Sequence, residues 1–261
     1  AATRGQKEDR MGREFVVAAG IVGMLFGAST AASSQKDQPT HPAAQAALRY
    51  FESIEDANFD ALLHQLRRPS LFPAVRDMVI RNLPKEGELI PSPQEAARLA
   101  IIRPLLAFHG REHDMEVRLI TVGGSSFVGL HARTVLLISR EALGLFNTDE
   151  VLAMTAHELG HDYVWDEYEK ARREGVNRRL QELELRCDGI AIIAMARLSV
   201  PPERLISAVT KQIRHNERIG TLNYAWYVPL DQRVRFVLAV ARLTAGSVLG
   251  SAPDRQWMAV R

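Results

Sequence analysis

The sequence predicts an α+β fold, mostly helical, with a small β-sheet placed just ahead of one long helix. Three observations predict it. After Ala43, apolar residues recur at helical spacing through most of the chain. Only two short runs are rich in β-branched residues, MEVRLITV (115–122) and RTVLLIS (133–139), and GGSS between them makes them adjacent strands. Most of the periodic stretches open on a capping residue or proline and close on glycine, as helices do.

Taken in order, AAQAALRYFESIEDANFDALLHQLRR (43–68) reads as two helices with Leu48, Phe51, Ile54, Phe59, Leu62, Leu63 and Leu66 turned inward. Pro69, Pro73, Pro84, Pro91 and Pro93 punctuate the next stretch. The helical period resumes in SPQEAARLAIIRPLLAFHG (92–110), where Ser92 caps, Pro93 sits in the first turn and Pro104 introduces a kink. The two strands follow. NTDEVLAMTAHELGHDYVWDEYEKARREG (147–175) is one long helix, with a cap at Asn147 or Thr148, acids in its first turn and a stop at Gly175. Further helices are expected over 177–198, 201–220 and 229–246. No repeat or low-complexity tract interrupts them.

A chain of 261 residues suits one catalytic-sized domain with appendages. Lys plus Arg number 33 against 31 Asp plus Glu, so no nucleic acid partner is implied. The densest basic run, EKARREGVNRR (169–179), contains acids too and reads as a solvated helix end. Ahead of the domain, Arg4, Lys7, Arg10 and Arg13 precede the apolar run FVVAAGIVGMLFGA (15–28) and then small residues, with Thr30 and Ala32 as the small pair before a cleavage point. The run is shorter than the about 20 residues of a spanning helix. Residues 1–32 are therefore expected to be a signal peptide, and the protein exported to a periplasmic or other extracytoplasmic compartment. An uncleaved anchor over 15–32 is the alternative, and the membrane is contacted only through this segment. The chain starts at Ala1, so residues 1–10 are expected to be an added remnant, or Met11 the natural start. Residues 33–42 read as a linker, 43–248 as the folded domain (a helical part over 43–110 and a core over 115–246) and 249–261 as a tail. Cys187 is the only cysteine, which excludes an internal disulfide and a cysteine-based zinc site.

The chemistry is concentrated in TAHELGHDY (155–163). Positions i and i+4 of a helix face one point in space, so His157 and His161 suit two nitrogen ligands of one zinc ion. Such a site needs a third protein ligand and keeps a fourth position for water, whose proton Glu158 can accept from the same helix. A short motif recurs by chance, and a second signal decides the matter. Glu184 and Asp188 are also four apart on a helix, in ELELRCDGIAI. Glu184 can serve as third ligand, and Asp188 can accept a hydrogen bond from the distal nitrogen of a liganding histidine, fixing its tautomer.

DEVLAMTAHELGH followed downstream by ELRCD resembles the gluzincin metallopeptidases of the HtpX, BepA and CAAX prenyl protease family, over about Met115 to Val237. The resemblance implies a zincin-like metallopeptidase domain with one zinc ion per chain, His157, His161 and Glu184 as metal ligands, Glu158 as catalytic base and Asp188 behind the ligands. It implies too that polypeptide substrates bind as an added β-strand along VGLHARTVLLIS (128–139), a mode that gives affinity with little sequence preference. Family members often have His-Pro ahead of an arginine late in the chain. Here WYVPLDQRVRF matches at Arg233, with Tyr227 where the histidine falls; Tyr227 could donate a hydrogen bond to an oxyanion, Tyr224 is a neighbouring candidate, and packing in the core is the alternative for both. Cys187 stands where alanine is usual and reads as a small buried residue. The spacing of the two motifs leaves no room for the membrane hairpin of the integral-membrane relatives, which implies a soluble member. His131 reads as a surface residue of the edge strand, and His41, His64, His109, His113 and His215 have no partner at metal-binding spacing. Trp165 and Tyr168 read as packing residues.

The expected function is zinc-dependent endopeptidase action on exported or misfolded proteins. A catalytically silent zinc-binding chaperone or scaffold of the same fold, its cleft closed by the helices of 43–110, is the alternative, although such a protein has no need of Glu158. An aminopeptidase ranks third, for want of an acidic motif for a substrate amino terminus.

Overall fold

The long helix with the two histidines organises everything around it. The computed structural model describes residues 38–54, 58–83, 85, 87–221 and 227–248, with backbone alone for 246–248. All of these belong to one compact unit, 35–261. The signal or anchor segment, most of the linker, Tyr224 and the tail lie outside the described residues. Among the described residues, no helix is long and apolar enough to cross a membrane.

The chain runs through helices α1 (Pro42–Glu52), α2 (Phe59–Leu66) and α3 (Pro73–Arg81), strand β1 (Glu88–Leu89), helices α4 (Pro93–Ala100) and α5 (Arg103–Phe108), strands β2 (Glu116–Ile120), β3 (Val128–His131) and β4 (Val135–Ser139), and helices α6 (Arg140–Leu145), α7 (Thr148–Glu174), α8 (Asn177–Arg197), α9 (Glu203–Arg218) and α10 (Leu230–Val248). The fold is α+β and mostly helical. Several elements differ from the sequence reading, which has no counterpart for β1 or α6. Proline 73 starts α3 rather than breaking a helix, because its missing N–H falls at a position that needs no partner. The 92–110 stretch is two helices, α4 opening on a Ser92/Glu95 capping box and α5 beginning just before Pro104. The single edge strand expected over 128–139 is two strands, β3 and β4, and of the two only β3 lies at the edge of the sheet.

The sheet order is β1-β2-β4-β3. β2 and β4 are neighbours, as expected, and they run parallel; β3 pairs antiparallel with β4 on the far side and β1 antiparallel with β2. β4 is therefore internal, with Val135, Leu136 and Ile138 buried, while β3 is an edge strand packed over α7. The turn after β3 places two non-glycine residues, Ala132 (φ 45°) and Arg133 (φ 61°), in the left-handed region, a cost of order 1 kcal/mol or more each. The Arg133 guanidinium offsets it: Nε donates to Asp162 Oδ1 at 2.6 Å and Nη2 to the Pro69 carbonyl at 3.0 Å. Asp162 also receives Arg111, itself paired with Asp114 at 2.8 Å, so this buried network ties the hairpin to α7.

α7 has clear ends. Asn147 and Glu150 form a capping box at its start, and Gly175 (φ 67°) terminates it in the left-handed conformation that a side chain would resist. The chain turns directly into α8, and the two helices lie against each other. They approach closely at Gly160, where an added Cβ would stand 2.8 Å from Cys187 Cα and 2.9 Å from its carbonyl oxygen. Only glycine allows this crossing. Cys187 is fully buried there, and burial pushes its thiol well above its usual range. α1 covers the other side of α8: the Phe51 ring occupies the space that a Cβ at Gly189 would need. Of the expected inward residues, Leu48, Phe51, Phe59 and Leu63 are buried in the core, and Ile54 and Leu66 pack at its margin. Thr40 and His41 donate their backbone N–H groups to Gln232 Oε1 of α10, at 2.7 and 3.0 Å.

Candidate metal centre

A 27-residue helix presents residues three and four apart as a single stripe. Met154, His157, Glu158, His161, Trp165 and Tyr168 form that stripe on α7 and floor a cleft of about 300 Å³. Phe127 and Val128 to Leu130 of β3 make one wall, Val209, Gln212 and Ile213 of α9 another, and Glu169, Glu184, Tyr227 and Arg233 also line it. The close crossing at Gly160 is what brings α8 near enough for its acids to reach the α7 imidazoles.

The two imidazole rings stand 5.2 Å apart between centroids. Potential ligand atoms of His157, Glu158 and His161 all lie within 4.8 Å of one another. Glu184 reaches both rings: Oε2 is 3.3 Å from His157 Nε2 and Oε1 is 3.9 Å from His161 Nε2. Two ligands of a tetrahedral zinc ion with bonds of about 2.0–2.1 Å stand roughly 3.3 Å apart. Both carboxylates stand about equally far from His161 Nε2, Glu184 at 3.9 Å and Glu158 at 4.0 Å, but Glu184 suits the role of ligand better, since its Oε2 is 3.3 Å from His157 Nε2 while Glu158 Oε2 accepts the Leu130 N–H at 3.2 Å.

Behind the rings, Asp188 Oδ1 stands 2.8 Å from His157 Nδ1. With Nδ1 engaged by a carboxylate, Nε2 is the nitrogen that faces the cleft and, once it gives up its proton, could bind a metal ion. Asp188 is 0% exposed and needs a countercharge. Arg233 of α10 supplies it, with Nε 2.6 Å from Oδ2 and Nη2 2.7 Å from Oδ1. Two residues read as packing line the site. Tyr168 donates its hydroxyl to Glu184 Oε1 at 2.8 Å and sets its ring edge-on to His161 at 4.8 Å. Trp165 lines the cleft. Helical arithmetic gives the face on which Tyr168 stands, but not the α8 carboxylate it meets.

The electrostatics favour a bound cation. Among the described residues, Glu158, Glu184 and Asp188 all lie under the fixed positive charge of Arg233. Burial raises Glu158 to about 7, helped by the charge of Glu184 and opposed by His157. Burial also opposes ionisation of Glu184, yet His161, the His157 contact and Arg233 hold it well below the usual carboxylate range. His157 is raised to about 10 because Asp188 and Glu184 outweigh its burial, and burial lowers His161 to about 4. One imidazole thus holds a proton where the surrounding acids demand a positive charge, and a divalent cation would replace it. Two imidazole nitrogens and one carboxylate are a donor set suited to zinc.

Tyr227 borders this group, partly buried, with its hydroxyl raised by burial; its carbonyl accepts from Gln181 at 3.4 Å. His131 is exposed at the end of β3. His109 is buried and bonded to the Tyr163 hydroxyl at 2.7 Å, and His215 contacts the Gly124 carbonyl at 2.8 Å.

Comparison of the chain with profiles of known families, with curated proteins and with solved structures returned no match.

Proposed function

We propose that the chain is a zinc-dependent endopeptidase with a zincin-like domain of the gluzincin type, exported, and acting on extended segments of exported or misfolded proteins. One observation carries the reading. Two residue pairs, each one helical turn apart on separate helices, meet at one ring: Glu184 faces His157 Nε2 while Asp188 holds Nδ1 of the same imidazole. Retention of Glu158 beside them favours catalysis over a purely structural metal site.

His157, His161 and Glu184 would hold the zinc ion. When bound, zinc supplies a Lewis acid that polarises a carbonyl and acidifies water. Glu158 takes the proton of the attacking water and returns it to the leaving amine, a role suited to a carboxylate poised near 7. Asp188 keeps His157 in the tautomer that leaves Nε2 free, and Arg233 keeps Asp188 ionised. β3 is the last strand of its sheet, and its Leu130 N–H already turns toward Glu158 and the cleft. A substrate strand added there would gain main-chain hydrogen bonds without demanding particular side chains. Tyr227, on the cleft lining, is assigned as hydrogen-bond donor to the oxyanion that forms as water adds to the peptide carbonyl.

The test is zinc content and casein hydrolysis for the wild type and Glu158→Gln. Both should hold one zinc per chain, and the variant should lose about 10²- to 10⁴-fold in rate. Zinc in both proteins with cleavage by neither, across several unfolded substrates, would mark the protein as a zinc-containing scaffold or chaperone instead.

A further inference from the structure

Tyr168 touches both a histidine and the carboxylate of the candidate centre from outside the ligand set. It lies on α7, two turns beyond His161. Its ring stands edge-on to the His161 imidazole, 4.8 Å between centroids and at 86°, and its hydroxyl donates to Glu184 Oε1 at 2.8 Å. The two oxygens of Glu184 are thereby given different work. Oε1 is held by the phenol, while Oε2 stands 3.3 Å from His157 Nε2, the separation of neighbouring ligands around zinc.

Glu184 needs such a partner. It is 22% exposed, the least buried of the three acids at the site, and its carboxylate sits at the end of a side chain with several rotatable bonds. Asp188 is fixed by Arg233, and Glu158 by the Leu130 N–H. Tyr168 supplies the corresponding restraint on Glu184, and because it comes from α7 it ties the α8 ligand to the helix that bears the other two.

We propose that Tyr168 is a positioning residue of the metal site, whose hydroxyl holds Oε1 of Glu184 so that Oε2 alone is presented to the ion and the remaining coordination position stays open. The proposal rests on the zinc reading above. Outer hydrogen bonds of this kind set metal affinity, and their loss typically costs 10- to 100-fold.

The experiment is a zinc titration against a competing chromophoric chelator, using the full chain as wild type, Tyr168→Phe, Glu184→Gln and the double variant. Phenylalanine keeps the ring against His161 and removes only the hydroxyl. Tyr168→Phe should weaken zinc binding 10- to 100-fold. In the Glu184→Gln background the same change should have little further effect, because Tyr168 acts through that carboxylate. The thermal midpoint of the chelator-treated protein should not move. Equal zinc affinity in wild type and Tyr168→Phe overturns the proposal and leaves the zinc reading standing. So does an undiminished Tyr168→Phe effect in the Glu184→Gln background, or a chelator-treated variant that no longer folds, since the hydroxyl would then act elsewhere. A wild type that binds no zinc removes the reading itself, and this assignment with it.

Discussion

Replacing Gly160 by alanine sets two opposing effects against each other. In a helix interior, alanine is favoured over glycine by about 1 kcal/mol. Against that, the new Cβ would stand 2.8, 2.9 and 3.0 Å from Cys187 Cα, O and Cβ, where ordinary contact begins at 3.4 Å. Two of these atoms are backbone, so no rotamer change relieves the overlap, and α8 has to retreat by roughly 0.6 Å. Overpacking of this kind costs about 1–3 kcal/mol. Gly144 in α6 is the control, because an added Cβ there meets nothing within 4 Å. The difference between Gly160→Ala and Gly144→Ala isolates the clash. At roughly 2–4 °C per kcal/mol for a domain of this size, the first variant should melt about 2–12 °C below the second. Zinc affinity should fall too, because α8 bears Glu184 and ligand distances tolerate only about 0.2 Å. Differential scanning calorimetry and zinc titration read both effects. If the two alanine variants share one melting temperature and one zinc affinity, α7 and α8 do not cross where we place them.

Two further outcomes follow from buried charge. Arg233→Met strands the fully buried Asp188 with only His157 for a partner, and removing one member of a buried pair costs about 3–5 kcal/mol; chemical denaturation should show it, with much of the loss recovered in Arg233→Met/Asp188→Asn, and a loss below about 1 kcal/mol would contradict the pairing. His109 is 2% exposed and is lowered to about 3 by burial and by the charges of Arg67 and Arg111, against 6.5 in the open chain. The unfolded chain therefore takes up a proton near pH 6.5 that the folded chain refuses until near pH 3. The stability this residue contributes is complete above 6.5 and is lost as pH falls through that window, at up to about 1.4 kcal/mol per unit. Between pH 6.5 and 5, His109→Gln should show a shallower fall in unfolding free energy than the wild type; parallel curves would mean that His109 is not held neutral.

The motif helix was legible in the sequence because each of its signals is local. Asn147 with Glu150, the four-residue spacing of His157 and His161, and Gly175 each declare themselves within one or two turns. α3 and β3 were obscured for different reasons. A cluster of prolines reads as broken chain unless one of them starts a helix, as Pro73 does, and β3 is too short for its own pattern to separate it from β4 within the strand expected over 128–139. In the site, the pairs His157/His161 and Glu184/Asp188 share a periodicity that the sequence displays, whereas what they meet depends on how α8 crosses α7. Tyr168 therefore read as packing. The Leu130 N–H escaped notice because a main-chain donor leaves no mark in the sequence, and Gly160 because its necessity comes from Cys187 on another helix. Arg233 was noticed only through the resemblance to a family motif, since nothing in its own neighbourhood points to a carboxylate on α8.

The most direct test is anomalous diffraction at the zinc absorption edge from crystals of the wild type grown with equimolar zinc. A single strong peak is predicted about 2.0–2.1 Å from Nε2 of both His157 and His161, with a Glu184 oxygen at about 2.0–2.2 Å and Glu158 outside bonding distance. A peak bonded to Glu158 instead of Glu184, or zinc bound only elsewhere on the surface, would contradict the account.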